Sequence, residues 1–316
     1  MALDPKITGT IYAGGEVDTP NLTAGSGAFK TIDGGQNWTP IDTGLATPFS
    51  TTLLIVRALA VDPVNTSALY AGTSNGIFKS ISSGQTWIDL GSGISPSALA
   101  IDPTNTSAIY AGGVDFSGNR GIFKSIDGGQ NWATVLSGSP AAVSALAIDP
   151  TNPSTVYAGF NGGPTGVGIM KTTNAGGDWF AVNNGLTSLF VSALAISPLS
   201  SSTIYAATSG GTFETVDAGQ TWSLVGPFGS TIAIDPLNPL TLYVGLTLGV
   251  AKSTDGGQTF TLANTGIPAN TPVNALVIDP SNPATVYAGT AAGIFKTTNG
   301  AQNWVAINSG LTAPLP

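Results

Sequence analysis

The sequence predicts an all-β protein, a seven-bladed β-propeller of four-stranded antiparallel blades, and three observations carry that expectation. A basic residue, or Glu214 in one copy, precedes an aromatic by eight positions seven times: Lys30–Trp38, Lys79–Trp87, Lys124–Trp132, Lys171–Trp179, Glu214–Trp222, Lys252–Phe260 and Lys296–Trp304. All 7 tyrosines (Tyr12, Tyr70, Tyr110, Tyr157, Tyr205, Tyr243, Tyr287) hold one equivalent place per copy. No stretch shows helical periodicity, whereas short alternating apolar runs recur between turn signals. Self-similarity at a period of about 40–50 residues marks a stack of small supersecondary units. Closing such units into a ring buries both faces of each sheet.

One repeat is justified element by element. An apolar alternating run, Val143–Ile148, reads as strand A. Asp149-Pro-Thr-Asn-Pro153 follows, rich in turn formers. Strand B is Thr155–Gly159 and strand C Gly168–Thr172. The C–D turn is clearest in Ser125-Ile-Asp-Gly-Gly-Gln-Asn-Trp132. There Ser125 and Asp127 accept backbone N–H groups and Gly129 supplies a positive φ. Strand D begins at the aromatic, whose ring drops into the apolar seam. Trp132→Ala is expected to cost about 3–5 kcal/mol through the cavity left behind, and Asp127→Ala less. The chain is expected to form one domain, residues 1–316, with blades at about 1–56, 57–96, 97–143, 144–191, 192–229, 230–273 and 274–316. Only three residues precede the Asp4-Pro5 turn, so the ring is expected to close inside strand A of blade 1. The tail Gly310–Pro316 is a candidate for the missing edge, against which its two prolines argue.

Loop lengths locate the working rim. In a four-strand meander the A–B and C–D turns lie at one end, the B–C and D–A connections at the other. The A–B and C–D spacings are eight in every blade. From Tyr to the strand C Lys or Glu the spacing is nine in four blades, fourteen in blades 3 and 4 and eighteen in blade 1. Insertions confined to one face mark where a repeat protein binds.

Composition removes several function classes. The net charge is −8 and only 8% of residues are charged, which disfavours nucleic acid and anionic membranes as partners. There is no Cys and no His, hence no disulfide, thiolate nucleophile, Ser–His–Asp triad or usual zinc site. No Asp-x-Asp-x-Asp-Gly calcium loop is present, so neither metal nor cofactor is expected. The longest apolar run, Leu53–Val61, is broken by Arg57 and too short to span a bilayer. Met1-Ala-Leu-Asp4 has no signal-peptide pattern. The low-charge, Cys-free, Thr/Asn-rich surface points to a secreted or cell-surface setting, and a monomer is expected unless the chain belongs to a larger one.

The repeats Ser125–Trp132 and Ser253–Phe260 resemble the Asp-box, or BNR repeat, Ser/Thr-x-Asp-x-Gly-x-Thr-Trp; Thr31–Trp38 and Thr215–Trp222 match it too. Ser82, Asn174 and Asn299 stand at the Asp position of the remaining three. That superfamily includes sialidases, xyloglucan-cleaving endoglucanases, sortilin-type receptors and photosystem II assembly factors. The resemblance implies that Asp33, Trp38, Trp87, Asp127, Trp132, Trp179, Asp217, Trp222, Asp255, Phe260 and Trp304 are structural and lie away from the ligand face.

The residues left over set the candidate site. Sialidases hold the substrate with an arginine triad, and this chain has only Arg57 and Arg120. A xyloglucanase-like hydrolase needs two carboxylates flanking the sugar bond. Once turn and box residues are set aside, Glu16, Asp18 and Asp115 are the carboxylates in the enlarged B–C loops. All 6 Trp and all 7 Tyr belong to the repeat, so neither type is spare to line a sugar cleft. Phe49, Phe116, Phe160 and Phe190 are candidate apolar anchors on the variable rim. Arg57 stands where other blades carry Ser97, Ser144, Ser192, Ser230 or Asn274. It is read either as an ion-pair partner of Glu16, Asp18 or Asp115, or as a ligand contact; Arg120 offers the same two readings. The six repeat lysines are expected to form a dispersed, solvated ring. Together these observations predict a non-enzymatic recognition or scaffold domain binding protein or glycan over blades 1–4. The alternatives are a glycoside hydrolase using the loop carboxylates and a recently duplicated or engineered scaffold without a ligand.

Overall fold

The described residues form twenty-eight strands in seven four-stranded antiparallel sheets, each made of four consecutive strands. The structure is a computed structural model and describes residues 1–15, 27–45, 54–163 and 166–311. Strands β1 (Ala2–Leu3), β5 (Val56–Val61), β9 (Ile94–Ile101), β13 (Ala142–Ile148), β17 (Val191–Ser197), β21 (Thr231–Ile234) and β25 (Val273–Ile278) open the blades. Each of these strands contacts its counterparts in the blades before and after, and β1 contacts β25, which closes the circle. The protein is therefore a seven-bladed propeller with strand A innermost.

Burial follows from that closure. Strand B is enclosed on both faces, as in β6 (Leu69–Thr73), where all five residues are buried. The outermost strands, such as β8 (Ile88–Asp89), are exposed. The hydrophobic clusters lie between blades: Tyr157 and Ile169 of blade 4 pack with Ile204, Phe213 and Trp222 of blade 5. The seams are the core.

Among the described residues, ring closure uses no exchanged strand. β1 pairs with β2 (Ile11–Gly14) in its own sheet through Ala2↔Tyr12 and Leu3↔Ile11, so the edge is short rather than missing. Blade 7 meets blade 1 as an ordinary seam. Trp38 Nε1 donates to the Ile307 carbonyl at 2.7 Å, and its backbone N–H to that of Ser309 at 2.8 Å. Leu311 packs against the same cluster; residues 312–316 lie outside the described residues.

The box turns form as their chemistry requires. Ser125 Oγ accepts the N–H of Gly129 at 2.8 Å and donates to Asp127 Oδ1 at 2.8 Å. Asp127 accepts the Asn131 N–H at 2.9 Å and the Asn131 side-chain amide at 2.7 Å. Those bonds, the Asn131 side chain foremost, hold the Asp127 carboxyl down to about 2, and the Thr221 and Thr259 side chains do the same for Asp217 and Asp255. Unfolded aspartate titrates near 4. A carboxyl depressed in the folded state stabilises it fully above that value and loses the contribution as pH falls through about 2. Melting temperatures between about pH 5 and 2 are therefore expected to fall less steeply for Asp127→Asn than for the parent protein. In blade 4 the roles are exchanged: Asn174 holds the box position and its amide donates to Asp178 at 2.9 Å.

The repeat lysines are not a solvated ring. Each Nζ sits 5.1–5.4 Å from the centroid of its own blade's tyrosine. Each also donates to a box carbonyl of the next blade, from Lys124 to Ala175 at 2.8 Å through to Lys30 to Ser83 at 3.2 Å. Lys296 spans the closing seam to Gly34 at 3.0 Å. Tyr70 and Lys79 share the Gly128 carbonyl at 3.1 and 3.2 Å. The lysine is drawn out of solvent because the ring face and carbonyl replace its hydration; desolvation lowers the pKa of Lys30, Lys124 and Lys171.

Candidate functional site

A meander places the starts of strands A and C and the end of strand B at the rim opposite the box turns. The unequal connections among the described residues therefore lie on one face, which is best defined on blade 3. β10 (Ile109–Asp115) and β11 (Arg120–Ser125) extend beyond their counterparts in blade 2 and form a projecting hairpin. One row crosses its sheet, pairing Ser95 with Val114 and Val114 with Arg120. Arg57 reaches across from blade 2, its Nη1 donating to Ser95 Oγ at 2.8 Å. Arg57 and Arg120 thus flank the same hairpin. Phe116 stands at its tip, 66% exposed, its N–H bonded to the Gly93 carbonyl at 2.8 Å. Arg120 Nη1 donates to the Pro140 carbonyl at 3.4 Å.

Asp115 shapes this hairpin. Its carboxylate accepts the backbone N–H groups of Ser117 and Asn119 at 2.9 and 2.8 Å and the Asn119 side-chain amide at 3.0 Å. The Asn119 side chain, then the backbone donors, hold its pKa below the ordinary carboxylate value. A general acid of a glycosidase needs the opposite shift. Asp115 is a turn anchor, and Arg57 bonds a serine hydroxyl rather than this carboxylate. Glu16 and Asp18, the other loop carboxylates, lie outside the described residues, as does Phe49.

The four candidate phenylalanines do not form one patch. Phe160 has no exposed surface: it is the last but one residue of strand B of blade 4 (Val156–Asn161), pairs with Val143 and packs with Ile122 and Val156. Its expected place among the binding residues is corrected accordingly, because strand B is covered on both sides as far as Phe160. Phe190 is half-buried at the opening of blade 5. Among the described candidates, Phe116 alone presents its ring to solvent.

A second motif, after strand D, was missed in the sequence. Asp42-Thr-Gly-Leu45, Asn183-Asn-Gly-Leu186, Asn264-Thr-Gly-Ile267 and Asn308-Ser-Gly-Leu311 follow blades 1, 4, 6 and 7. At each, the second residue's carbonyl accepts the backbone N–H of the next blade's box tryptophan: Trp87, Trp222, Trp304 and Trp38. The glycine has φ of +92° to +98° in the first three and +87° in the last. The first residue braces strand C, as when the Ile169 N–H donates to Asn183 Oδ1 at 2.7 Å. These four tryptophans are 2–4% exposed, whereas Trp132, Trp179 and Phe260 at the other seams are only half-buried. The recurring Gly-Leu/Ile at matched offsets was the available signal.

Small hydroxyls link successive innermost strands. Ser97, Ser144 and Ser230 each donate to a carbonyl of the neighbouring innermost strand, those of Val143, Val191 and Val273. Among the described residues no group of three or more His, Cys, Asp or Glu could hold a metal ion, and no helix is long and apolar enough to cross a membrane.

No protein-family model and no curated protein sequence matches the chain. Solved structures resemble it in shape. A GH74 enzyme from Niastella koreensis superposes with a TM-score of 0.76 at 21% identity, covering 98% of this chain and 53% of the other. The GH74 xyloglucanase from Xanthomonas campestris gives 0.77 at 18% identity, with coverages of 98% and 54%. YCF48 bound to D1 peptide gives 0.61 at 16% identity and covers 85% of both chains. The chain spans about half the length of the GH74 structures it matches. At these identities the likeness establishes the architecture alone, a seven-bladed propeller.

Proposed function

We propose that this propeller is a recognition module that binds a polypeptide or glycan partner on the variable rim, with the blade 3 hairpin as its anchor. The observation carrying this reading is the exposed Phe116 ring at the tip of the hairpin that carries Arg120 and whose sheet Arg57 reaches, these being the two arginines of the chain. Aromatic and arginine side chains on a rigid support are the residue types that dominate binding energy. The six repeat lysines are committed to the seams, so the cationic groups of this rim are these two guanidiniums. They favour a ligand carrying carboxylates beside an apolar group. The peptide-bound YCF48 structure is a precedent for peptide recognition on a related ring. Selection from a random peptide display library, run beside a glycan array, is expected to enrich acidic sequences with an aromatic or aliphatic residue. Phe116→Ala with Arg120→Ala is expected to reduce retention about tenfold or more. Equal retention by that double variant would place the site elsewhere.

The GH74 likeness favours hydrolysis of a β-glucan as the second reading. It requires the loop carboxylates, and Asp115 is already engaged by its own turn. Reducing-end release from xyloglucan, abolished by Asp115→Asn, would establish it in place of the first.

A further inference from the structure

Blade 5 departs from the other six at two coupled positions on the box rim, opposite the proposed binding face. Six A–B turns open with Asp (Asp4, Asp62, Asp102, Asp149, Asp235, Asp279), and blade 5 has Ser197. Six strands C carry the seam lysine, and blade 5 has Glu214. Elsewhere an Asp and a Lys balance each other near the seam; here a serine and a glutamate leave a net negative charge.

The niche that receives the ammonium in other seams is still built. Tyr205 is 2% exposed in the tyrosine position, and its hydroxyl lies 3.0 Å from the Gly256 carbonyl, the box oxygen a lysine would meet. Glu214 Oε1 lies 2.8 Å from the same hydroxyl. The phenol has one hydrogen to donate, so two acceptors compete for it. In blade 2 the corresponding carbonyl receives donors from both Tyr70 and Lys79. The blade 5–6 seam is short of one cationic donor. A cleft of about 370 Å3 opens beside it, lined by Tyr205, Glu214 and Gly256 within and by Leu199 and Leu240 at its mouth. Those leucines are 75% and 57% exposed. The volume falls within the range of about 300–1,000 Å3 typical of ligand pockets.

We propose that this cleft is a binding site for a primary alkylammonium, which takes the place held by the lysine Nζ in the other seams. Its N–H groups donate to Glu214 and the Gly256 carbonyl, its charge faces the Tyr205 ring, and its alkyl stem lies against Leu199 and Leu240. The chemistry is shared by a partner's lysine side chain and a free alkylamine.

The test is a ¹H–¹⁵N NMR titration of the full chain at constant ionic strength. The probes are n-pentylamine, Nα-acetyl-lysine methylamide and tetramethylammonium. Saturable shifts at the Gly256 amide are expected with both primary amines, with Kd of about 1–10 mM. Tetramethylammonium, which has no N–H, is expected to bind about tenfold more weakly. Tighter binding of pentylamine identifies a free amine as the source; equal or tighter binding of the lysine derivative identifies a lysyl side chain. Glu214→Lys, which restores the residue of the other six seams, is expected to abolish the shifts and raise Tm by about 2 °C. Absence of saturation by either amine, equal binding of tetramethylammonium, or undiminished shifts in Glu214→Lys would overturn the proposal. Because the cleft and the blade 3 hairpin lie on opposite rims, failure here leaves the proposed recognition role untouched.

Discussion

Trp87→Ala is expected to lower the unfolding free energy by about 3–5 kcal/mol, and Trp132→Ala by clearly less. The sequence alone assigned both residues the same role and put the loss for Trp132→Ala at about 3–5 kcal/mol. In the structure Trp87 is 4% exposed, packs with Ile41, Leu45 and Phe78, and donates from Nε1 to the Ile41 carbonyl at 2.6 Å. Removing it opens a seam cavity and orphans a buried acceptor, and both costs add. Trp132 is half-buried, and its Nε1 turns back to the Gly129 carbonyl of its own box at 3.0 Å. Its blade 2 neighbour lacks the Gly-Leu loop that would cover it. Chemical denaturation of both variants, with the slope compared to confirm two-state behaviour, provides the measurement. Equal losses would show that the loop after strand D has no part in closing a seam.

Gly185→Ala is expected to rival that loss. Gly185 has φ +94°, and a Cβ there would stand 2.1 Å from the Trp222 carbonyl oxygen and 3.0 Å from its carbon. The left-handed backbone alone costs alanine about 1–2 kcal/mol. The clash is with backbone, so it cannot be relieved by a rotamer; it pushes blades 4 and 5 apart and breaks the Trp222 N–H to Asn184 carbonyl bond of 2.8 Å. Gly138→Ala is the control: its φ is +73°, yet nothing lies within 4 Å of the added methyl. It isolates the backbone term. A Tm drop for Gly185→Ala no larger than that for Gly138→Ala would remove the loop from the seam's energetics.

The two comparisons show how unevenly the structure was legible beforehand. The box turns could be read because each is closed by residues within five positions of one another, as Ser125, Asp127 and Gly129 are. The bonds among these side chains and the turn's own backbone form within the box. Phe160 and Phe116 were indistinguishable by the same reading, both being aromatics at the end of an enlarged blade. One lies within a strand enclosed by neighbouring sheets and the other tops a hairpin outside them. Asp115 likewise looked available until its loop placed Asn119 back across it.

Blade number, strand order and the rim that varies were written into the chain, since they follow from spacings that repeat locally and from turns that form locally. Which tryptophans are sealed, where the lysine ammonium groups go and which rim residues face solvent were decided only when the ring closed. Those properties belong to pairs of blades some 40–50 residues apart, and a seam exists only once both of its walls are in place.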